Sequence, residues 1–434
     1  MMECMPANDP SRLLLHNEVH ARPSARIRLP ALIVLIAVFN EGVTREDECA
    51  HLKVLEPSLD LQDVQGNFLR LQLSGYSLKW ERHTEFTRYS LVQQLPDSTS
   101  VASLDVALLS KLLIQPEWLA QIPGKTFLAI KLVMLHGDID RPHDALDLAS
   151  TFCSHQPIIA SRMGNSVHSL VITDFRIRDS GFEKMLVVAP EGTSLTRAGR
   201  ISQRLLELET YRLMALRGLP VAKYVAAQLG HSELELAKII ESLEYKEADD
   251  QSLLSRLISL AAGIERLTAS NAFRFSATAA YEKLVLERIV ELRESPINGT
   301  QSIGEFMKRR LSPAMATVAA TSHRLNSLSE RINRASSLLR TRVDIATEEQ
   351  NRLLLEKLTK GQELQLRLQS TVEGLSIAAI SYYVVSLILY AVKAGNAAGL
   401  DVQPELIAGS LIPLVLWFVW SATRRIHKKL YSSN

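Results

Sequence analysis

The sequence predicts an α+β chain: an N-terminal mixed α/β domain, a long helical stalk and a C-terminal two-helix transmembrane hairpin. Three observations carry this. In residues 1–193, short apolar or alternating runs bounded by turn residues interchange with helical patterns. From Ser194 onward the periodicity is helical almost throughout. Residues 374–392 and 406–422 are apolar and free of charge, and each run is close to the ~20 residues that cross a bilayer core as a helix.

In chain order, the apolar run 31–39 is too short to span a membrane and suits a buried strand. Thr44 and Asp47 have capping-box spacing for a helix reaching residue 55. After the turn at Gly66-Asn67, runs 68–73 and 78–92 read as two strands joined at Ser74-Gly75-Tyr76. A helix is expected over 101–119, a strand over 126–135, a helix over 143–152, and strands over 166–178 and 182–189. Residues 161–164 read as a loop. Alternation of this kind predicts a mixed sheet with helices on at least one face.

Ser194 caps a helix expected to end at Gly218-Leu219-Pro220. Ser232 and Glu235 suggest another capping box. A helix over 251–294 stops before Pro296, and Ser312-Pro313 reads as the start of the next. Unbroken to residue 392, that helix would be about 120 Å long, with Gly361 and Gly374 as places to bend. Leu325, Leu328, Ile332, Ala335, Leu339 and Val343 fall near heptad spacing and call for a partner helix. The stalk arginines, among them Arg324 and Arg342, are expected to pair with acidic residues of such a partner.

The expected division is a cytoplasmic α/β domain over 1–193 and a helical domain over 194–311. A stalk over 312–373 follows, with 251–295 as its antiparallel partner. The first span is 374–392, the outer loop 393–405, the second span 406–422 and the basic tail 423–434. The outer loop holds one basic residue, Lys393, whereas Arg424, Arg425, Lys428 and Lys429 follow the second span; the positive-inside rule then puts both termini in the cytoplasm. The tail basics are placed for lipid headgroups, making the bilayer one partner. The first 23 residues are polar and charged and lack the apolar core of a signal peptide, so insertion is expected to rely on the hairpin.

The 434 residues suffice for two or three folding units, and the net charge of +2 gives no signal for nucleic acid. Cys4, Cys49 and Cys153 lack metal-ligand spacing and fit a reducing compartment. No glycine-rich phosphate loop, Gly-x-Ser-x-Gly elbow or His-Glu-x-x-His helix is present, which leaves an enzyme reading little support.

Five blocks stand out: HNEVHARP (16–23), KWERHTEF (79–86), LLELETYRLMAL (205–216), FRFSATAAY (273–281) and RLQSTVEGLSIAAISYYVV (367–385). Together they resemble an uncharacterised bacterial family of predicted membrane-anchored proteins, a domain of unknown function, over nearly the whole chain. The resemblance implies a bacterial inner-membrane protein and brings no activity, substrate or catalytic residue with it. The architecture is also similar to that of CorA-type magnesium channels, which carry Gly-Met-Asn at the outer end of the first span. Here Gly395 and Asn396 follow Lys393-Ala394, the methionine is absent, and Lys393 adds positive charge near the mouth.

Candidate ligand or metal residues are His16, Glu18 and His20, which share one side of a strand, together with Glu81, His83 and Glu85. If the two groups converged, imidazole and carboxylate would suit a divalent metal; alternatively they anchor the N-terminal segment and form cross-strand ion pairs. On one strand, Trp80, Arg82, Thr84 and Phe86 would face away from Glu81, His83 and Glu85. In the first span, Ser376, Tyr383, Ser386, Tyr390 and Lys393 fall within about 100° of arc, a polar face that suits packing on the second span, self-association or a pore. The function expected is a non-enzymatic, oligomeric, membrane-anchored sensor or scaffold of a protein or small-molecule ligand. The alternatives are a CorA-like divalent cation transporter and a metal-dependent enzyme using His16, His20 and His83.

Overall fold

The computed structural model describes residues 9–12, 25–59, 66–103, 111–153, 158–164, 168–244, 249–397 and 403–431. Packing divides the chain into two units, Met1–Ala248 with Ser255–Ala335 and Asp249–Leu254 with Ser336–Asn434.

The first unit is built on a mixed sheet of order β2-β3-β4-β1-β5-β8-β7-β6-β9. Its strands are β1 (Ala31–Phe39), β2 (Phe68–Leu73), β3 (Tyr76–Arg82), β4 (Phe86–Gln94), β5 (Lys125–His136), β6 (Ile159–Met163), β7 (Ser169–Thr173), β8 (Glu183–Ala189) and β9 (Ser295–Pro296). Pairings are antiparallel except β5 with β8. β1 lies centrally and is buried on both faces, as its unbroken apolar run requires.

One sheet face, carrying Leu32, Val34, Trp80, Tyr89 and Val133, packs on α1 (Arg45–Lys53), α2 (Pro116–Ala120) and α3 (Pro142–Phe152) through Leu52, Trp118 and Phe152. The capping box at the head of α1 is present: the Asp47 backbone N–H donates to Thr44 Oγ1, and the Thr44 N–H donates to the Asp47 carboxylate. The other face, carrying Ile33 and Arg88, meets α4 (Leu195–Leu216), which Ser194 caps. α5 (Gly218–Glu244), α6 (Asp250–Leu292), α7 (Ile303–Ala397) and α8 (Pro404–Tyr431) complete the chain.

Several expectations need correction. Run 78–92 is a hairpin, β3 and β4, in which the His83 N–H donates to the Phe86 carbonyl across the turn. Of the helix expected over 101–119, residues 101–103 are a turn and only Pro116–Ala120 is helical; 104–110 lie outside the described residues. Residues 161–163 belong to strand β6, and β7 ends at Thr173 because Asp174 turns back to accept from the Arg176 N–H. Ser232 and Glu235 sit inside α5, where the helix continues unbroken.

The last long helix starts at Ile303, nine residues before Ser312, because its first turn is satisfied there. Ser302 Oγ accepts from the Glu305 N–H, Ser161 Oγ accepts from the Ile303 N–H, and the Glu294 carboxylate accepts from the Gly304 N–H. Pro313 is therefore interior. The heptad stripe is buried at Leu325, Leu328, Ile332, Ala335 and Leu339, whereas Val343 at its end is half-buried. Arg324 pairs with Glu233 of α5 at 2.8 Å and Arg342 with Asp250 of α6 at 3.0 Å.

In the second unit, α7 passes through Gly361 and Gly374 as one helix and continues to Ala397, past the expected end of the first span. α7 and α8 each carry a stretch long and apolar enough to cross a membrane. Only 6% of the first apolar stretch and 17% of the second is buried, so neither stretch belongs to the core of the folded chain.

Candidate functional site

The face of α4 turned to the sheet meets a polar seam where an apolar interface is the usual solution. Strand register builds it. β2 and β3 form a hairpin with Leu73 opposite Tyr76 across Ser74-Gly75, and Gly75 takes the left-handed φ of +85° that the tight turn requires. This sets Arg70 opposite Lys79. β4 then sets Ser90 opposite Lys79 and Arg88 opposite Glu81. Arg70, Lys79 and Ser90 thus form one cross-strand row, with Glu81 and Arg88 on the next pair.

Glu81 lies 2.9 Å from Lys79 Nζ and 3.9 Å from Arg88 Nη1, and all three are largely buried. Burial alone would raise the Glu81 carboxyl; Arg88 and Lys79 overcome this and hold it below the usual carboxylate range. Burial lowers the Lys79 ammonium, only partly offset by Glu81. From α4, Glu207 accepts from Gln203 and pairs with Arg288 of α6 at 2.8 Å. Burial, with Glu207 nearby, raises the Tyr211 hydroxyl.

Two cavities open at the ends of this seam. The first, of about 210 Å³, lies between the sheet and α4 and is lined by Arg26, Arg70, Lys79, Arg88, Ser77, Ser90, Ser202 and Gln203 among others. Its N-terminal wall packs tightly on α4: a Cβ on Gly199 would come within 1.5 Å of the Ala25 carbonyl oxygen. The second, of about 330 Å³, is lined by Arg82, His83, Thr84, Phe86, Tyr211 and Tyr281. The Tyr211 and Tyr281 rings stack at 6.0 Å, and the His83 ring stacks on Phe86 at 4.5 Å. Three of the blocks noted in the sequence, KWERHTEF, LLELETYRLMAL and FRFSATAAY, meet around this second cavity. A further cavity of about 250 Å³ is lined by His168, Arg197, Arg200, Arg204 and Glu291; its Arg197 and Arg200 are exposed and Glu291 balances Arg204 at 3.3 Å.

The predicted ligand residues separate. Because the chain turns at 83–85, the alternation expected for one strand fails, and Phe86 joins the Arg88 face instead of the Trp80 face. Glu81 joins the buried seam, and His83 lines the aromatic cavity. Glu85 accepts from Arg274 and pairs with Arg217 at 3.3 Å, while the Arg217 guanidinium lies 4.3 Å over the Phe39 ring. Among the described residues no group of three or more His, Cys, Asp or Glu side chains is placed to hold a metal ion. His16, Glu18 and His20 lie outside the described residues.

Of the membrane face, Ser376 Oγ donates to the Val372 carbonyl at 2.8 Å, Tyr383 and Tyr390 are 67% and 70% exposed, and Ser386 is half-buried. The buried polar residue of this stretch is Ser381, at 4% exposure. At 100° per residue, Tyr390 falls about 180° from it, so the predicted polar face points away from the buried side. Lys393 lies 3.8 Å from Glu405. Gly395 is in the last turn of α7; the side chain of Asn396 lies outside the described residues. Arg424 and Arg425 are exposed, with Arg424 4.9 Å over the Trp420 ring, and the side chains of Lys428 and Lys429 lie outside the described residues.

Sequence reasoning missed Arg70, Arg88, Ser90, Tyr211 and Tyr281. The two-residue loop Ser74-Gly75 was the available signal for the first, since it sets Arg70 opposite Lys79. No curated protein and no solved structure matches the chain, so the likeness to CorA-type channels finds no counterpart there. A family model matches the chain from residue 7 to residue 430, and the chain belongs to the family described as "Protein of unknown function (DUF3422)".

Proposed function

We propose that the chain is a membrane-anchored, non-enzymatic sensor or scaffold of the bacterial inner membrane. Its α/β body takes a small polar ligand on the cytoplasmic side, and it self-associates through the first span. The observation that carries this is the polar seam between sheet and α4, a buried set of charges opening into cavities at both ends. Such a seam is less stable than an apolar interface unless a ligand or a specific partner repays the desolvation. Among the described residues the cavity between sheet and α4 has no histidine or carboxylate lining it to activate Ser77 or Ser90, which supports binding over catalysis.

Anchoring is supported by the two exposed apolar stretches and by Arg424 and Arg425 after the second of them. Self-association is supported by Tyr383 and Tyr390, which are polar, exposed and opposite the buried side of their helix. Alkaline extraction of membranes containing the full chain tests the anchor. The chain is expected in the pellet after the wash; release into the supernatant would refute the proposal.

A further inference from the structure

We propose that the cavity between the sheet and α4 is a binding site for a small, freely diffusing phosphate-bearing anion; this rests on the reading of the body as ligand-sensing and names the ligand class. Lys79, Arg88 and Ser90 form its buried part, and the exposed Arg26 and Arg70 form its mouth.

Charge is the first argument. Arg26, Arg70, Lys79 and Arg88 line the cavity, and among the described residues no aspartate or glutamate lines it. Lys79 and Arg88 share one carboxylate, Glu81, which sits close to Lys79 and at 3.9 Å from Arg88. Glu207, the next acid along the seam, is engaged by Arg288. Buried positive charge in excess of its counter-charge is costly, and register sets the exposed Arg70 at the mouth, directly opposite Lys79. An anion in the cavity removes the cost of the buried excess.

Unmet donors are the second argument. Arg88 Nε and Ser90 Oγ are buried and have no hydrogen-bond partner among the described residues, although each residue is over nine-tenths buried and lines the cavity. A buried donor left unpaired costs about 1–3 kcal/mol in general, so such groups are normally matched. A guanidinium, an ammonium and a hydroxyl converging from one sheet face suit the tetrahedral oxygens of phosphate.

Size and lining narrow the class. The cavity, about 210 Å³, exceeds the ~150 Å³ that accepts a benzene-sized guest. No aromatic side chain lines it among the described residues, so a nucleobase would find no stacking partner. Inorganic phosphate or a compact phosphate ester fits this better than a nucleotide does.

The test is calorimetric titration of inorganic phosphate into the detergent-purified full chain. One saturable site is expected, weakened about tenfold or more in Arg88→Gln and about threefold in Arg70→Gln. Arg70 is exposed, so its variant keeps the test valid should Arg88→Gln fail to fold. Arg200→Gln, in the separate basic cavity beside His168, is expected to leave the affinity unchanged. Absence of saturable binding up to about 10 mM phosphate, or equal weakening by Arg70→Gln and Arg200→Gln, would overturn the site. Repeating the titration in phosphatidylglycerol and phosphatidylcholine nanodiscs separates a free ligand from a lipid headgroup. Equal affinity in both is expected, and competition by phosphatidylglycerol would overturn the free-ligand assignment. A chain that stays in washed membranes yet ignores phosphate refutes this inference alone; a chain that binds phosphate yet is released by the wash refutes only the anchor.

Discussion

Glu48 is fully buried in α1, yet two donors and a cation converge on it: Trp80 Nε1 donates at 3.2 Å, Thr87 Oγ1 donates at 2.6 Å, and Arg82 Nη1 pairs with it at 2.7 Å. Glu48→Ala would strand both donors and leave Arg82 unpaired, and is expected to cost about 2 kcal/mol, allowing for the partial exposure of Arg82. Thermal unfolding followed by tryptophan fluorescence checks this, since Trp80 and Trp118 report on that core; an unchanged midpoint would contradict it. A second buried acid behaves oppositely. Burial, with Glu209 of α4 alongside, raises the Glu183 carboxyl to about 9. The folded chain then holds a proton that the unfolded chain releases near its ordinary value of 4.5. Stability should fall as pH rises between those values, by up to about 1.4 kcal/mol per pH unit for one proton. Glu183→Gln, which cannot ionise, should flatten that decline in denaturation midpoints measured from pH 6 to 9. Of these residues little was legible in the sequence. Glu48 and Trp80 are 32 positions apart, and only the docking of α1 on the sheet brings them together. Arg70 and Lys79, by contrast, lie across a two-residue loop, so local turn chemistry was sufficient to pair them.

At the scale of elements, boundaries followed whichever partner satisfied the end groups. The head of α1 was legible because its cap is local, Thr44 with Asp47. The head of α7 was not, because its first turn is capped by Ser302 together with Ser161 from β6 and Glu294 from the preceding turn. Ser302→Ala is expected to cost about 1 kcal/mol, and Glu294→Gln to destabilise by a comparable amount through loss of charge at the helix N-terminus; both are read from denaturation midpoints. The hairpin β3–β4 was hidden because residues 83–85 carry neither glycine nor proline; the turn is held instead by Asn40, whose Nδ2 donates to the His83 carbonyl at 2.8 Å. In α7 the polar face was legible from helical periodicity alone, and its direction was not. Replacing Tyr383 and Ser386 together by Leu should lower the subunit number in native mass measurements of the purified protein. An unchanged assembly would count against self-association through that face.

For the molecule as a whole, the class was legible: strands and helices interchanging up to residue 189, helices almost throughout thereafter, and two apolar stretches near the end; the division of 78–92 into two strands and the strand β6 were not. The sheet order was not, since the parallel pairing of β5 with β8 and the addition of β9 at the edge join residues far apart in sequence. The cationic cavity depends on that assembly, because Arg26, Arg70, Lys79, Arg88 and α4 come together only once β1 through β4 are registered. The proposal for the molecule is therefore a ligand-binding body on the cytoplasmic side of a bilayer crossed by two helices. Protease protection in oriented membranes tests this most directly. In inverted inner-membrane vesicles, added protease should degrade the body, while in intact spheroplasts the full-length chain should survive. Digestion of the body from the outside of spheroplasts, or an intact chain in the soluble fraction, would contradict the account.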